Sequence, residues 1–224
     1  MPDIKDERPE KFADVVLPEN YIKHSPVTAE IVMNEQHRVM ALDTVFLSSL
    51  HQFIRQNYGE HYSSVLYKTG FHWGDQAYQS IEKLALSVYS GVKSIKELSM
   101  PQFHRLFTNH LAAMGWGNFE LKRRDDFLFV DLYDSLVVES LKTHEKNGTT
   151  VCDLYAGFFA GIFSRISNMP LACLEITCTI EGYEFCSFLL DNEETIGQLK
   201  QYVGHGMTPL EAFQKLKKEI GETV

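Results

Sequence analysis

LEITCTIEGYEFCSFLL, residues 174–190, is the stretch on which the reading of this chain turns. Apolar and β-branched residues alternate with polar ones on either side of Glu181-Gly182, the pattern of a β-hairpin. Glu175, Cys178 and Cys186 fall inside it, and Cys152 lies one expected helix upstream. Thiolates and a carboxylate are zinc ligands, and four of them in a tetrahedron make a closed, structural site. A three-residue loop, 181–183, sets Cys178 opposite Cys186 with Cβ atoms roughly 4.5–5.5 Å apart, close enough for two thiolates on one ion. A two-residue loop pairs Cys178 with Phe185 and sends Cys186 to the other face. Glu175 stands three residues from Cys178, so on a regular strand it points away. It joins the site only through a kink or bulge between them; otherwise another group is the fourth ligand. Cys173, two residues from Glu175, is expected to face a core or cavity.

Working outward, four cysteines gathered in the last third of the chain favour metal ligation over disulfides in a reducing compartment. The N-terminus, MPDIKDERPEKF, lacks the apolar segment of a secretory signal, so the expected location is cytoplasmic. A net charge of −9 argues against a nucleic-acid partner, which calls for a basic face, and against anionic membranes. No apolar run reaches the ~20 residues of a membrane span.

At 224 residues the chain fits one domain, and no linker divides it. Residues 1–30 read as an arm, with Phe12, Val15, Val16, Leu17 and Tyr21 to dock part of it; residues 31–224 form the body. A short strand is expected at 30–33. A helix over 40–58 carries Leu42, Phe46, Leu50, Phe53 and Ile54 on one stripe, His51 on the other side, and Gly59 as its stop. A longer helix over 61–89 contains Gly70 and Gly74; their spacing implies close backbone approach or a break. Ser99-Met100-Pro101-Gln102 is a capping box opening a helix that ends at Gly115-Trp116-Gly117. A hairpin follows at 118–123 and 127–133. Helices are expected at 136–146, 150–166, 193–203 and 209–220, the second with Gly157 and Gly161. Two hairpins among helices define an α+β class (α/β in the looser sense): an antiparallel sheet packed against several helices.

Gly115-Trp116-Gly117, the Cys152 helix with its paired glycines, and Glu175-x-x-Cys178-x(7)-Cys186 followed by Phe188 together resemble the 4-vinyl reductase domain family. The family includes aromatic-sensing input domains of bacterial activators and proteins linked to bacteriochlorophyll synthesis, and is related in fold to TRAPP vesicle-tethering subunits. The resemblance implies a structural Zn²⁺ held by Cys152, Glu175, Cys178 and Cys186, a buried pocket for a hydrophobic small molecule, aromatic or tetrapyrrole-like, and a homodimer formed through helices. Phe107, Tyr133, Tyr155, Phe159, Phe163 and Cys173 are the expected pocket residues. Two other roles stay open under it: an accessory or carrier protein in tetrapyrrole metabolism, and an assembly module like the tethering subunits.

Catalytic signatures are missing from the sequence. There is no dinucleotide fingerprint, no Ser/His/Asp order and no nucleophile elbow. The nine histidines are scattered; any one could serve as a haem ligand only if the bound molecule were a tetrapyrrole. No catalytic residue is assigned.

Overall fold

The computed structural model describes residues 17–18, 21–34, 37–142 and 150–221. Within them the chain runs β1 (Ile22–Ser25), β2 (Glu30–Met33), β3 (His37–Val39), α1 (Thr44–Tyr58), α2 (Tyr62–Val88), α3 (Met100–Ala113), β4 (Asn118–Arg124), β5 (Phe127–Tyr133), α4 (Leu136–Leu141), α5 (Asp153–Ser167), β6 (Leu171–Thr177), β7 (Cys186–Asn192), α6 (Glu193–Gly204) and α7 (Pro209–Gly221). Four strands form an antiparallel sheet in the order β4-β5-β7-β6, and β1-β2-β3 form a second, smaller one. The architecture is α+β in a single domain, as the hairpin pattern predicts.

Alternation along the strands divides the large sheet into two faces. Phe119, Val130, Leu132, Phe188 and Leu190 point inward against α3 and α5, while Phe129, Ile176 and Leu189 point outward beneath α6 and α7. Both faces are therefore apolar, and the sheet is the middle layer of the molecule.

α2 and α5 lie against each other along their glycines. A Cβ at Gly70 or Gly74 would overlap the carbonyl oxygen of Leu154 or Phe158, and one at Gly157 or Gly161 would overlap that of Tyr67 or Phe71. The four positions interlock, so neither helix can carry a side chain at the crossing. Of the two readings of Gly70 and Gly74, close approach is the correct one; α2 is continuous over 27 residues.

Several boundaries differ from the expected ones. α1 starts at Thr44, because the Asp43 carboxylate accepts from the Phe46 N–H at 2.7 Å and fixes the first turn there. α5 starts at Asp153, with Cys152 at its N-cap. α4 ends at Leu141, and the rest of the expected 136–146 helix falls outside the described residues, as do Phe12, Val15 and Val16 of the arm. Leu17 and Tyr21 are buried. β1 and β3 had no periodic signal: four and three residues long, they are held as strands by pairing with β2.

The largest departure is the orientation of α1. Its apolar stripe faces outward, with Phe46 49% and Phe53 60% exposed, while Leu47, Ser48 and His51 are buried.

Candidate metal centre

The hairpin places its three ligand candidates through a bulge. Glu175 pairs with Phe188 and Thr177 with Ser187, so β6 spends one extra residue, Ile176, against β7. Phe188 and Cys186 share a face, and the extra residue returns Glu175 and Cys178 to that same face. The kink that the zinc reading required between Glu175 and Cys178 is thus present. The loop is longer than either loop weighed from sequence: β6 ends at Thr177, a 3₁₀ turn covers Thr179–Glu181, Gly182 takes φ 93°, and β7 begins at Cys186. Cys178 and Cys186 face each other just beyond the last paired residues.

Cys152 is supplied by α5. Its Sγ lies 4.0 Å from Cys186 Sγ, which lies 3.5 Å from Cys178 Sγ. Zinc–sulfur bonds of about 2.3 Å in a tetrahedron give sulfur–sulfur edges of about 3.8 Å, between those two values. One donor atom from each of Cys152, Glu175, Cys178 and Cys186 falls within 4.8 Å of every other, and all four residues are buried.

Glu175 carries the clearest sign that something is to be bound. Its Oε2 accepts from the Cys152 N–H at 2.8 Å, but its buried Oε1 has no hydrogen-bond partner. Burial drives the Glu175 carboxyl well above the carboxylate range, with the nearby Cys178 adding to the shift. Burial likewise raises the Cys152 thiol. Hydrogen bonds from Cys152 and Cys178 pull Cys186 down to about 5, so the arrangement favours one thiolate among protonated neighbours. Four acids crowded out of water are unfavourable as anions unless a cation lies between them. The Thr179 N–H donates to Cys186 Sγ at 3.4 Å, and Ser135 Oγ lies 3.8 Å from Cys152 Sγ. These outer contacts orient two of the sulfurs. The donor set fits a closed Zn²⁺ site without an open coordination position.

The expected pocket residues separate into groups. Phe107, Tyr155, Phe159 and Phe163 form a packed aromatic nest, with Phe107–Phe163 centroids 5.7 Å apart and Tyr155–Phe159 6.3 Å. Tyr155 donates to the Trp116 carbonyl at 2.6 Å. Tyr133 lies apart from the nest, its ring 5.2 Å from Phe185. Cys173 is buried on the inner face, and its N–H donates to the Tyr67 hydroxyl at 3.2 Å.

Open space lies beside the nest. One bay of about 240 Å³ is lined by Met33, Trp73, His110, Met114 and Phe158 among others. A second, of about 390 Å³, is lined by Ile22, Met33, Leu42, Leu47, Met114 and Trp116 among others. Met33 and Met114 are common to both. Trp73 bridges from the nest, 4.1 Å from Phe158 and 4.7 Å from Trp116 between centroids. The polar element here is Tyr21, whose hydroxyl is 2.5 Å from His110 Nδ1; burial pushes that imidazole down to about 4. His104 is used differently, its Nε2 accepting from the Leu121 N–H at 3.3 Å. Sequence alone did not bring out the bays or the Tyr21–His110 pair, since both depend on β1-β2-β3 folding over α3.

An α+β domain with a buried three-cysteine, one-glutamate cluster is the class that fold and site define. Within it, residues 128–192 match the family model of the vinyl-4-reductase domain, a segment that contains all four cluster residues. This agrees with the resemblance read from the sequence. No curated protein matches the sequence. Among solved structures, the chain is similar to the phenol-responsive sensory domain of the transcription activator PoxR with phenol, at 16% identity and TM-score 0.59, over 88% of this chain and 91% of that one. It is also similar to a trafficking protein particle complex subunit 3 from Naegleria fowleri covalently bound to palmitic acid, at 12% identity and TM-score 0.50, over 66% and 90% of the two chains. These likenesses establish the fold. Among the described residues no helix is long and apolar enough to cross a membrane.

Proposed function

We propose that this chain is a non-enzymatic binding domain, stabilised by a structural Zn²⁺ and acting as a homodimer, that encloses a hydrophobic small molecule. The observation that carries the reading is the pair of bays meeting at Met33 and Met114 beside a buried aromatic nest. Each has the dimensions and apolar lining of a small-ligand site, and Tyr21 with His110 supplies the few polar atoms such sites use for orientation. Methionine at the junction suits this role, because its flexible thioether can move to join the two spaces. The nest of Phe107, Tyr155, Phe159 and Phe163 is the rigid floor. The likeness to a phenol-responsive sensory domain supports an aromatic ligand, with a tetrapyrrole-like one requiring the joined bays. Four free cysteines fit the cytoplasm as the compartment.

The zinc part is tested by elemental analysis of protein purified without added metal, which should contain stoichiometric zinc. Cys178→Ser should lose it and melt at lower temperature; a metal-free protein, or an unchanged melting temperature in that variant, defeats the claim. The binding part is tested with 1-naphthol. The chain's two tryptophans, Trp73 and Trp116, both line the bays, so saturable quenching of tryptophan fluorescence reports occupancy directly. Absence of quenching and of thermal stabilisation by 1-naphthol argues against the pocket.

A second reading, an assembly module, draws on the exposed apolar stripe of α1. Native mass spectrometry and absorbance of the purified protein separate the two: a bound acyl chain in a colourless protein favours assembly, and a Soret or bilin band favours a tetrapyrrole.

A further inference from the structure

The larger bay opens at its rim onto the same edge where the α1 stripe begins. Met40, Leu42 and Leu47 line it, and Met40 is 75% and Leu42 38% exposed. From Leu42 the apolar residues continue along the outward face as Val45, Phe46, Leu50, Phe53 and Tyr58. Bay and stripe are thus one continuous apolar surface, half concave and half convex.

The size of the surface identifies its cover. Taking ~150–250 Å² for a large side chain and the exposed fractions of these residues, the stripe and rim offer on the order of 700 Å². That exceeds the roughly 300–600 Å² patch of an ordinary monomer and approaches the ~800 Å² per partner of a stable interface. A helix stripe without acidic side chains, from Val45 to Tyr58, is self-complementary to a second copy of itself.

We propose that a second copy of this chain completes the ligand bay: two α1 helices pack antiparallel about a two-fold axis near Leu50, and the C-terminal end of the partner's helix closes the bay's mouth. This rests on the small-molecule reading above. The antiparallel sense opposes the helix dipoles and sets Phe46 against Phe53 of the partner subunit. In that register Leu42 falls opposite Asn57 of the partner subunit, so Tyr58 of the partner subunit lies over the Met40–Leu42 rim. Each ligand is then enclosed by one chain's bay and the other chain's helix end. Binding and dimerisation become linked: whatever factor dimerisation adds to ligand affinity, ligand adds to dimerisation.

Sedimentation equilibrium and tryptophan quenching by 1-naphthol test this together. The wild-type chain should be a dimer at micromolar concentration, and 1-naphthol should strengthen the dimer. Phe53→Glu, outside the bay, should yield a folded monomer by circular dichroism that binds 1-naphthol at least about tenfold more weakly, a coupling of ordinary size. Dilution of the wild-type protein through its dimer dissociation constant should show the same loss, which covers the case of a variant that does not fold. A wild-type monomer, or equal naphthol affinity for monomer and dimer, overturns completion by the partner while leaving the binding reading intact. Lack of naphthol binding in either state overturns both.

Discussion

His51 and His110 illustrate how a single residue ties the fold to pH. Both are buried and both imidazoles are held down to about 4, His51 by burial and then by Arg55, His110 by burial and then by His37. In the unfolded chain each titrates near 6.5. Below that value the unfolded state takes up a proton that the folded state refuses until pH falls to about 4, so stability is lost as pH drops through that window. At pH 5 the loss is on the order of 2 kcal/mol for each histidine. Urea unfolding at pH 7 and pH 5 should show the chain markedly weaker at the lower pH. His51→Gln and His110→Gln should each flatten that dependence, because glutamine keeps a hydrogen-bonding group for Tyr62 or Tyr21 and cannot titrate there. An unchanged slope in both variants would show that these imidazoles accept protons in the folded state.

At the scale of elements, the α2–α5 crossing makes an opposite-sign prediction. Gly157→Ala in an isolated helix stabilises by about 1 kcal/mol. Here the added methyl meets the backbone at Tyr67. Because backbone cannot give way as a flexible side chain can, the helices must separate, at a cost of about 1–3 kcal/mol or more. Thermal denaturation should place Gly157→Ala below wild type; a higher melting temperature would mean the helices are not in contact there. This contact was legible in the sequence, since four glycines at four-residue spacing on two helices have few other uses. So was the metal cluster, together with its need for a bulge, because strand alternation fixes what Glu175 and Cys178 can do on one face. The outward face of α1 was not legible. Periodicity reports that a helix has an apolar side, and it is silent on whether that side meets the same chain or another. β1 and β3 escaped for a related reason: strands of three or four residues are defined by a partner rather than by their own pattern.

For the whole molecule, the bulged hairpin matters because it joins the layers. Cys152 belongs to α5, which lies along α2, and Glu175, Cys178 and Cys186 belong to the β6–β7 hairpin, whose outer face carries α6 and α7. A metal ion between them would bind the helix layer to the sheet at the sheet's end. Zinc in finger peptides contributes an apparent ~10–16 kcal/mol, comparable with the roughly 5–15 kcal/mol net stability of a domain. Removal should therefore act beyond the site. Without the cation, the three thiols and the carboxyl must be protonated to remain buried, and Glu175 Oε1 keeps its unmet hydrogen bond. Treatment with a strong chelator should speed amide exchange first at the N-terminal turn of α5 and along β6 and β7. β1-β2-β3 and α3, which pack around Tyr21 and His110, should respond later. If chelation removes zinc and exchange stays unchanged along β7, the ion is not what holds the hairpin to α5, and the apolar contacts of Tyr155 and Phe159 with Phe188 suffice to do so.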